Sequence, residues 1–188
     1  VSNYRRELDI SEAVAAVTYS SGQINYRREV FSSAPDQSLV MRITADKPGA
    51  VTFTARLSRP GNKALIKADG NLISMSEHTG NGNGVKLEAR LKILSESGTL
   101  SSGGDSIRIE KANSVVILLT AATDYFAPDP ASRALERLEK VSARPFADIK
   151  SDHLVDYKSY FNRLSIDLGS SDGNYFTTDA RIAAIQNG

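Results

Sequence analysis

Val85, Leu87, Ala89, Leu91 and Ile93 alternate without a break with Lys86, Glu88, Arg90 and Lys92. Successive side chains of a strand point to opposite faces, so this spacing predicts a strand with one apolar and one solvated face. That is the signature of an antiparallel sheet. The same period of two runs from Tyr4 to Thr120. Tyr4, Arg6, Leu8 and Ile10 alternate with Arg5, Glu7 and Asp9. Leu39, Met41 and Ile43 share a face before the turn Asp46-Lys47-Pro48-Gly49. Val51, Phe53, Ala55 and Leu57 share another before Arg59-Pro60-Gly61-Asn62. Turn residues recur at roughly the 8–12-residue spacing of sandwiches and barrels. About eight to ten strands are predicted, the weaker ones near Ala13–Tyr19, Leu72–Met75 and Ile107–Ile109.

The period changes after Thr120. Asp129 is placed to cap a helix that has Pro130 at its first position, where a missing N–H costs nothing. Ala131, Leu135, Leu138 and Val141 follow at helical spacing, and Arg144-Pro145 ends the run. A second helix is expected to start near Ser151, with Leu154, Tyr157, Phe161 and Leu164 on one stripe. Ser165 to Gly169 reads as a short strand-like tail, and Ser170-Ser171-Asp172-Gly173-Asn174 as a polar break. The fold class is therefore mainly β: an antiparallel β-sandwich followed by a two-helix linker. The boundaries fall at 1–127 for the sandwich, 128–169 for the linker and 170–188 for a lead-in to a further domain.

Composition narrows the functional classes. A formal net charge of +1, with Lys and Arg dispersed along the strands, gives no basis for a nucleic-acid partner. The longest apolar run, Val115 to Leu119, has the length of a buried strand and not of a bilayer span, so no membrane partner is expected. The absence of cysteine excludes disulfides, thiolate metal sites and cysteine nucleophiles. Nothing at Val1 has the pattern of a signal peptide.

Two histidines are present, His78 in the loop Glu77 to Gly84 and His153 on the second predicted helix. Neither has a ligand partner at zinc or iron spacing, so no metal site and no cofactor are predicted. A nucleophile elbow of the Gly-x-Ser-x-Gly type is missing. The glycines Gly80 to Gly84 precede a strand and not a helix, so they read as a hairpin loop, not a phosphate cradle. Gly103-Gly104-Asp105 reads as another turn. Glu7, Asp9, Glu29, Glu88 and Glu110 lie in strands beside Arg or Lys, where solvated cross-strand pairing is expected. Aromatic platforms for a sugar are conceivable at Tyr19, Tyr26 and Phe31, or at Tyr125 and Phe126, but packing roles are the simpler reading.

Several stretches resemble, in order, the N-terminal β domain of glycoside hydrolase family 95. They are Tyr4 to Ile10, Ala15 to Tyr19, Tyr26 to Ser33 with Pro35-Asp36, Gly84 to Ala89 and Leu118 to Tyr125. His153 to Gly169 and Thr178 to Ile182 continue the likeness. The resemblance implies a β supersandwich, a helical linker, a catalytic (α/α)6 barrel and a C-terminal β domain. It implies a parent that acts as an inverting α-L-fucosidase on terminal α-1,2-linked fucose, or as an α-L-galactosidase, at a periplasmic or extracellular location. The catalytic carboxylates and the water-activating asparagine would lie in the barrel, so no catalytic residue is assigned here. By the same resemblance the chain stops where the barrel would begin and lacks the opening strands of the sandwich.

The expectation is a non-catalytic part of a fucosidase-like hydrolase that braces the barrel and is inactive alone. The barrel would be its partner, and carbohydrate the ligand of the parent. An independent carbohydrate-binding β-sandwich module is the alternative. If the domain reaches substrate, the rim candidates are His78, Asp124 and Tyr125, on the loops Glu77–Gly84 and Thr123–Phe126, since binding groups often sit on loops held by a rigid scaffold.

Overall fold

The computed structural model describes residues 1–61, 63–125, 128–167, 169 and 176–187. Among the described residues eleven antiparallel strands precede the α-helices. They are β1 (Ser2–Asp9), β2 (Val14–Ser21), β3 (Ile24–Ser33), β4 (Ser38–Ala45), β5 (Val51–Arg56), β6 (Leu65–Asp69), β7 (Leu72–His78), β8 (Lys86–Glu96), β9 (Thr99–Gly103), β10 (Ser106–Ala112) and β11 (Ser114–Thr123). Eight form one sheet in the order β1-β2-β3-β4-β11-β8-β7-β6, and three form a second in the order β5-β10-β9. Helices α1 (Pro130–Ser142) and α2 (Phe146–Phe161) follow, then α3 (Thr178–Asn187). None of the described helices is long and apolar enough to cross a membrane.

The large sheet lies between two layers. On one face Ile43, Ile73, Leu91, Ile93 and Val115 pack against Val51, Ala55, Ile107 and Ile109 of the small sheet. On the other face Val14, Phe31, Val40 and Leu118 pack against Leu138, Val141 and Ile149 of the helices. The apolar set of β8 faces inward as the alternation predicts: Ala89, Leu91 and Ile93 are buried.

Of the polar set of β8 only Lys86 is exposed, and for the other three the sequence expectation is corrected. Glu88 is buried, the Arg90 side chain is only 21% exposed, and Lys92 donates to Ser142 Oγ on α1 at 3.0 Å. Helix α1 packs over β8 and β11, so long polar side chains line its seat and carry their charged ends to its margin. Two further hydrogen bonds hold the helix down. The buried Thr120 hydroxyl donates to the Ala134 carbonyl at 2.7 Å. Arg137 donates to the Ala121 carbonyl at 2.8 Å, at a point where β4 no longer runs alongside β11. The cap is as predicted: Asp129 accepts from the Ser132 N–H, with Pro130 in the first turn.

Helix α2 begins at Phe146, not near Ser151. Pro145 sets the entry, extended at φ −60 and ψ 142, and Phe146 packs on Phe31, their ring centroids 5.8 Å apart. The buried residues of α2 are Ile149 and His153. The predicted stripe is therefore shifted: Leu154 and Tyr157 are half-buried, while Phe161 is 38% and Leu164 74% exposed. Ser165 to Asp167 has no strand character. The Ser170–Asn174 stretch lies outside the described residues.

Candidate functional site

The two predicted rim loops meet at one end of the large sheet, and strand register brings them together. His78 ends β7 opposite Lys86 of β8. On the other side of Lys86, Asp124 extends the β11–β8 ladder just past the Thr123–Leu87 pair. Its N–H donates to the Lys86 carbonyl at 3.1 Å, and its Oδ1 accepts from the Lys86 N–H at 2.9 Å. His78, Lys86 and Asp124 thus form a row across three strand ends.

Each is engaged in local structure. The His78 ring closes its loop, Nε2 lying 3.1 Å from the Gly84 carbonyl, which fixes Nε2 as the protonated, donating nitrogen. The loop is tied further by Thr79, whose hydroxyl accepts from the Val85 N–H at 3.0 Å, and by a short 3-10 turn over Gly80–Gly82. Gly84 is required there, because a Cβ would collide with the Thr79 hydroxyl and carbonyl. The hairpin reading of this loop holds. Tyr125 is 74% exposed. Phe126 lies outside the described residues.

An open cavity of about 550 Å³ lies beside this row, lined by Lys63, Ser76, His78, Lys86, Glu88 and Asp129 among others. Asp124 and Tyr125 do not line it. Asp129 is committed to capping α1, and its carboxyl is held below the ordinary range by hydrogen bonds from Ser132, the side chain first. Glu77 lies 2.6 Å from Arg59 Nε. Glu88 was missed by sequence reasoning as anything but a solvated pair member. Burial pushes its carboxyl above the ordinary range, against the pull of Arg90, whose Nε lies 2.8 Å away. A raised carboxyl in a cleft is a recognised mark of functional sites, and also of structural ion pairs. Here burial in the packed sheet accounts for it, and the ion pair with Arg90 only offsets part of it.

Asp9 accepts from the Ser11 N–H and hydroxyl in the turn after β1, while Glu7, Glu29 and Glu110 are paired along their own strands and not across them. Arg5–Glu7, Arg27–Glu29 and Arg108–Glu110 all join residues two apart on one strand face. Glu29 also receives Lys150 of α2 at 2.9 Å. His153 is structural: it stacks on Phe31 at 4.8 Å, and its Nε2 lies 3.0 Å from the Glu12 carbonyl. Tyr19 and Tyr26 stack on each other at 5.1 Å, and Arg28 lies over Tyr19, while both residues line an open groove with Asn3, Asn25 and Asp46. Among the described residues no cluster of three or more His, Asp or Glu is placed to hold a metal.

Residues 1–128, more than half of the chain, match the family described as glycosyl hydrolase family 65, N-terminal domain. The chain belongs to that family. Full-length relatives of this glycosyl hydrolase family 65 N-terminal domain carry the fucosidase name, in agreement with the resemblance drawn from the sequence. Alpha-L-fucosidase 2 of Arabidopsis thaliana is 31% identical, over 92% of this chain and 24% of its own length. "Probable alpha-fucosidase A" of Aspergillus niger is 25% identical, over 93% of this chain and 24% of its own. The chain thus spans about a quarter of the length of these relatives. A solved structure described as "Putative kojibiose phosphorylase from human microbiome" superposes with a TM-score of 0.55 at 15% identity, covering 85% of this chain and 25% of that one. That likeness speaks for the fold alone, and a fold does not fix a reaction.

Proposed function

We propose that residues 1–188 serve as the non-catalytic N-terminal β domain and helical linker of a glycoside hydrolase that releases terminal α-L-fucose, α-1,2-linked in the first instance. The observation that carries this reading is the 31% identity to Alpha-L-fucosidase 2 over 92% of this chain, set against only 24% of that enzyme's length. The site supports a bracing role. Its titratable groups are spent on a loop closure, a strand extension, a helix cap and ion pairs. Inverting hydrolysis needs two carboxyls about 6.5–9.5 Å apart across a sugar. In this reading they belong to a barrel domain outside residues 1–188.

The partner of the linker is that barrel. The outer end of α2 and the segment after it expose Tyr160, Phe161, Leu164 and Ile166, an apolar edge suited to burial against a neighbouring domain. The row His78–Lys86–Asp124, with exposed Tyr125 beyond it, would lie at the rim of the substrate cleft and not at its floor.

The test compares the 188-residue chain with the full-length polypeptide on an aryl α-L-fucoside and on 2′-fucosyllactose. Turnover is expected from the full-length protein only. Turnover by residues 1–188, lost when Glu88 is replaced by Gln, would overturn the bracing role. Binding of free glycans by residues 1–188 alone would favour an independent carbohydrate-binding module.

A further inference from the structure

Strand β4 does not run the whole length of β11. Their pairing stops at Leu39 and Leu119, whereas β11 continues beside β8 to Thr123. This leaves a notch in the large sheet, bounded by the β3–β4 turn, the last residues of β11 and helix α1. Two open cavities of about 530 and 420 Å³ meet there, and Gln37, Ala121 and Arg137 line both.

The notch is rich in donors that nothing receives. Along β11 the backbone groups alternate between its two neighbours. The Asp124 N–H turns to Lys86 of β8, so the groups of Ala121 and Thr123 turn the other way, into the notch. The Ala121 carbonyl does so, accepting from Arg137 at 2.8 Å. The N–H groups of Ala121 and Thr123 have no partner there among the described residues. Ser38 is 4% exposed and lines the smaller cavity. Its hydroxyl has no hydrogen-bond partner among the described residues, and a buried hydroxyl left in that state is costly.

Charge points the same way. Arg133 and Arg137 stand one turn apart on α1 and flank the larger cavity. Neither meets a carboxylate among the described residues. Arg59 lines the cavity too, held by Glu77. The acid in the lining, Glu88, is matched by Arg90. A further strand is a poor occupant, because the Ala121 carbonyl that its ladder would need is already taken by Arg137. Guanidinium groups and backbone N–H groups converging on one space suit an oxyanion. The larger cavity has the size of a site for a small organic molecule and exceeds what an inorganic ion fills. Met75, Leu87 and Ala89 give it an apolar side, against which the C–H face of a sugar ring can lie.

We propose that the notch binds an acidic saccharide through its oxyanion, a uronate carboxylate or a sulfate ester, with Arg133, Arg137 and the N–H groups of Ala121 and Thr123 as donors. The inference rests on the reading of the parent as a glycoside hydrolase, which makes the organic part of the ligand a sugar. The larger cavity shares Leu87 and Glu88 with the one beside the His78–Lys86–Asp124 row. An acidic residue held in the notch therefore belongs to a glycan that reaches the rim, and Arg133 and Arg137 select acidic glycans over neutral ones.

Calorimetric titration of the full-length protein tests this, with digalacturonate, its neutral dimethyl ester, galactose 6-sulfate and inorganic sulfate as probes. An acidic sugar is expected to bind about tenfold or more tightly than the ester, the worth of a hydrogen bond to a charged group. It is also expected to slow amide exchange over residues 119–124. Whether digalacturonate or galactose 6-sulfate binds more tightly identifies the oxyanion. Arg133→Gln is expected to weaken binding by about tenfold on the same grounds with an unchanged thermal midpoint, since its side chain ties no described residue. Arg5→Gln, on β1, is expected to leave binding unchanged. Inorganic sulfate binding as tightly as the sugars would overturn the saccharide assignment. Equal affinities for digalacturonate and its ester together with no binding of galactose 6-sulfate, equal affinities of Arg133→Gln and wild type, or no binding at all would overturn the site. Turnover of 2′-fucosyllactose, a neutral glycan, reports separately on the proposed function, since a protein without it can still bind the acidic probes and an active one can fail to.

Discussion

Replacing Leu138 by Ala asks whether α1 is part of the folded unit or an appendage. Leu138 is 1% exposed and sits among Val40, Leu118 and Val141. The change deletes three carbons, worth about 2.4 kcal/mol at ~0.8 kcal/mol per buried methylene. A cavity penalty adds to this to the extent that the walls cannot close. Here one wall is the backbone of β4 and β11, each hydrogen-bonded to a strand on both sides, so little collapse is available. The total is then roughly 3–4 kcal/mol, within the 2–5 kcal/mol span of such substitutions. For a chain of this size that lowers the thermal midpoint by roughly 10 °C. Urea unfolding should be followed both by the helical circular-dichroism band and by a probe of the sheet, such as amide exchange at Leu118. Both transitions are expected to move together. A helical signal that melts early while the sheet midpoint stays within about 0.5 kcal/mol of wild type would refute the claim that helix and sheet share one core.

Gly84→Ala is expected to destabilise by about 1–3 kcal/mol, because the new methyl group overlaps the Thr79 hydroxyl and carbonyl in a closed loop. The His78 ring resonances should shift in the same sample, as its carbonyl partner moves; unchanged resonances and midpoint would show that the loop has room to spare. Acid should loosen α2 through Glu29. Burial alone would raise this carboxyl, but the hydrogen bond and charge of Lys150, then those of Arg27, leave it below its ordinary value of 4.5. The stabilising contribution is therefore complete above about pH 4.5 and is lost as pH falls through the lower folded value. Glu29→Gln is expected to flatten that part of the pH–stability curve, and a variant curve parallel to wild type would remove Glu29 from the account.

Much of the fold is legible in the sequence wherever one residue does one job. The alternation of β8 reports its apolar face, and Asp129-Pro130 reports the start of α1. The sequence does not show that the second face of β8 is covered, because Glu88, Arg90 and Lys92 look the same whether they end in water or at the margin of a helix. Nor does it separate β5, β9 and β10 into their own sheet, since the period is two in either sheet. Arg144-Pro145 reads as the end of one helix, although a proline is equally a natural entry to the next. At the candidate site, the loops holding His78 and Asp124 are each visible as loops. Their meeting at Lys86 is a matter of register across strands 38 residues apart in sequence, which local pattern does not encode. Glu88 is misread for the same reason as its face.

Strand β11 is the last of the eleven described strands in chain order, yet it lies in the middle of the large sheet, between β4 and β8. Until it emerges from the ribosome, nothing joins β1–β4 to β6–β8, and β4 and β8 are left as unpaired edges. Such edges invite pairing with other chains. Joining them requires contacts spanning much of the chain, and contacts of that range fold slowly. Ribosomal stalling or proteolytic nicking shortly before Ser114 would therefore leave two sticky half-sheets. Protection of these edges is therefore expected to matter most until residues 114 to 123 have been made.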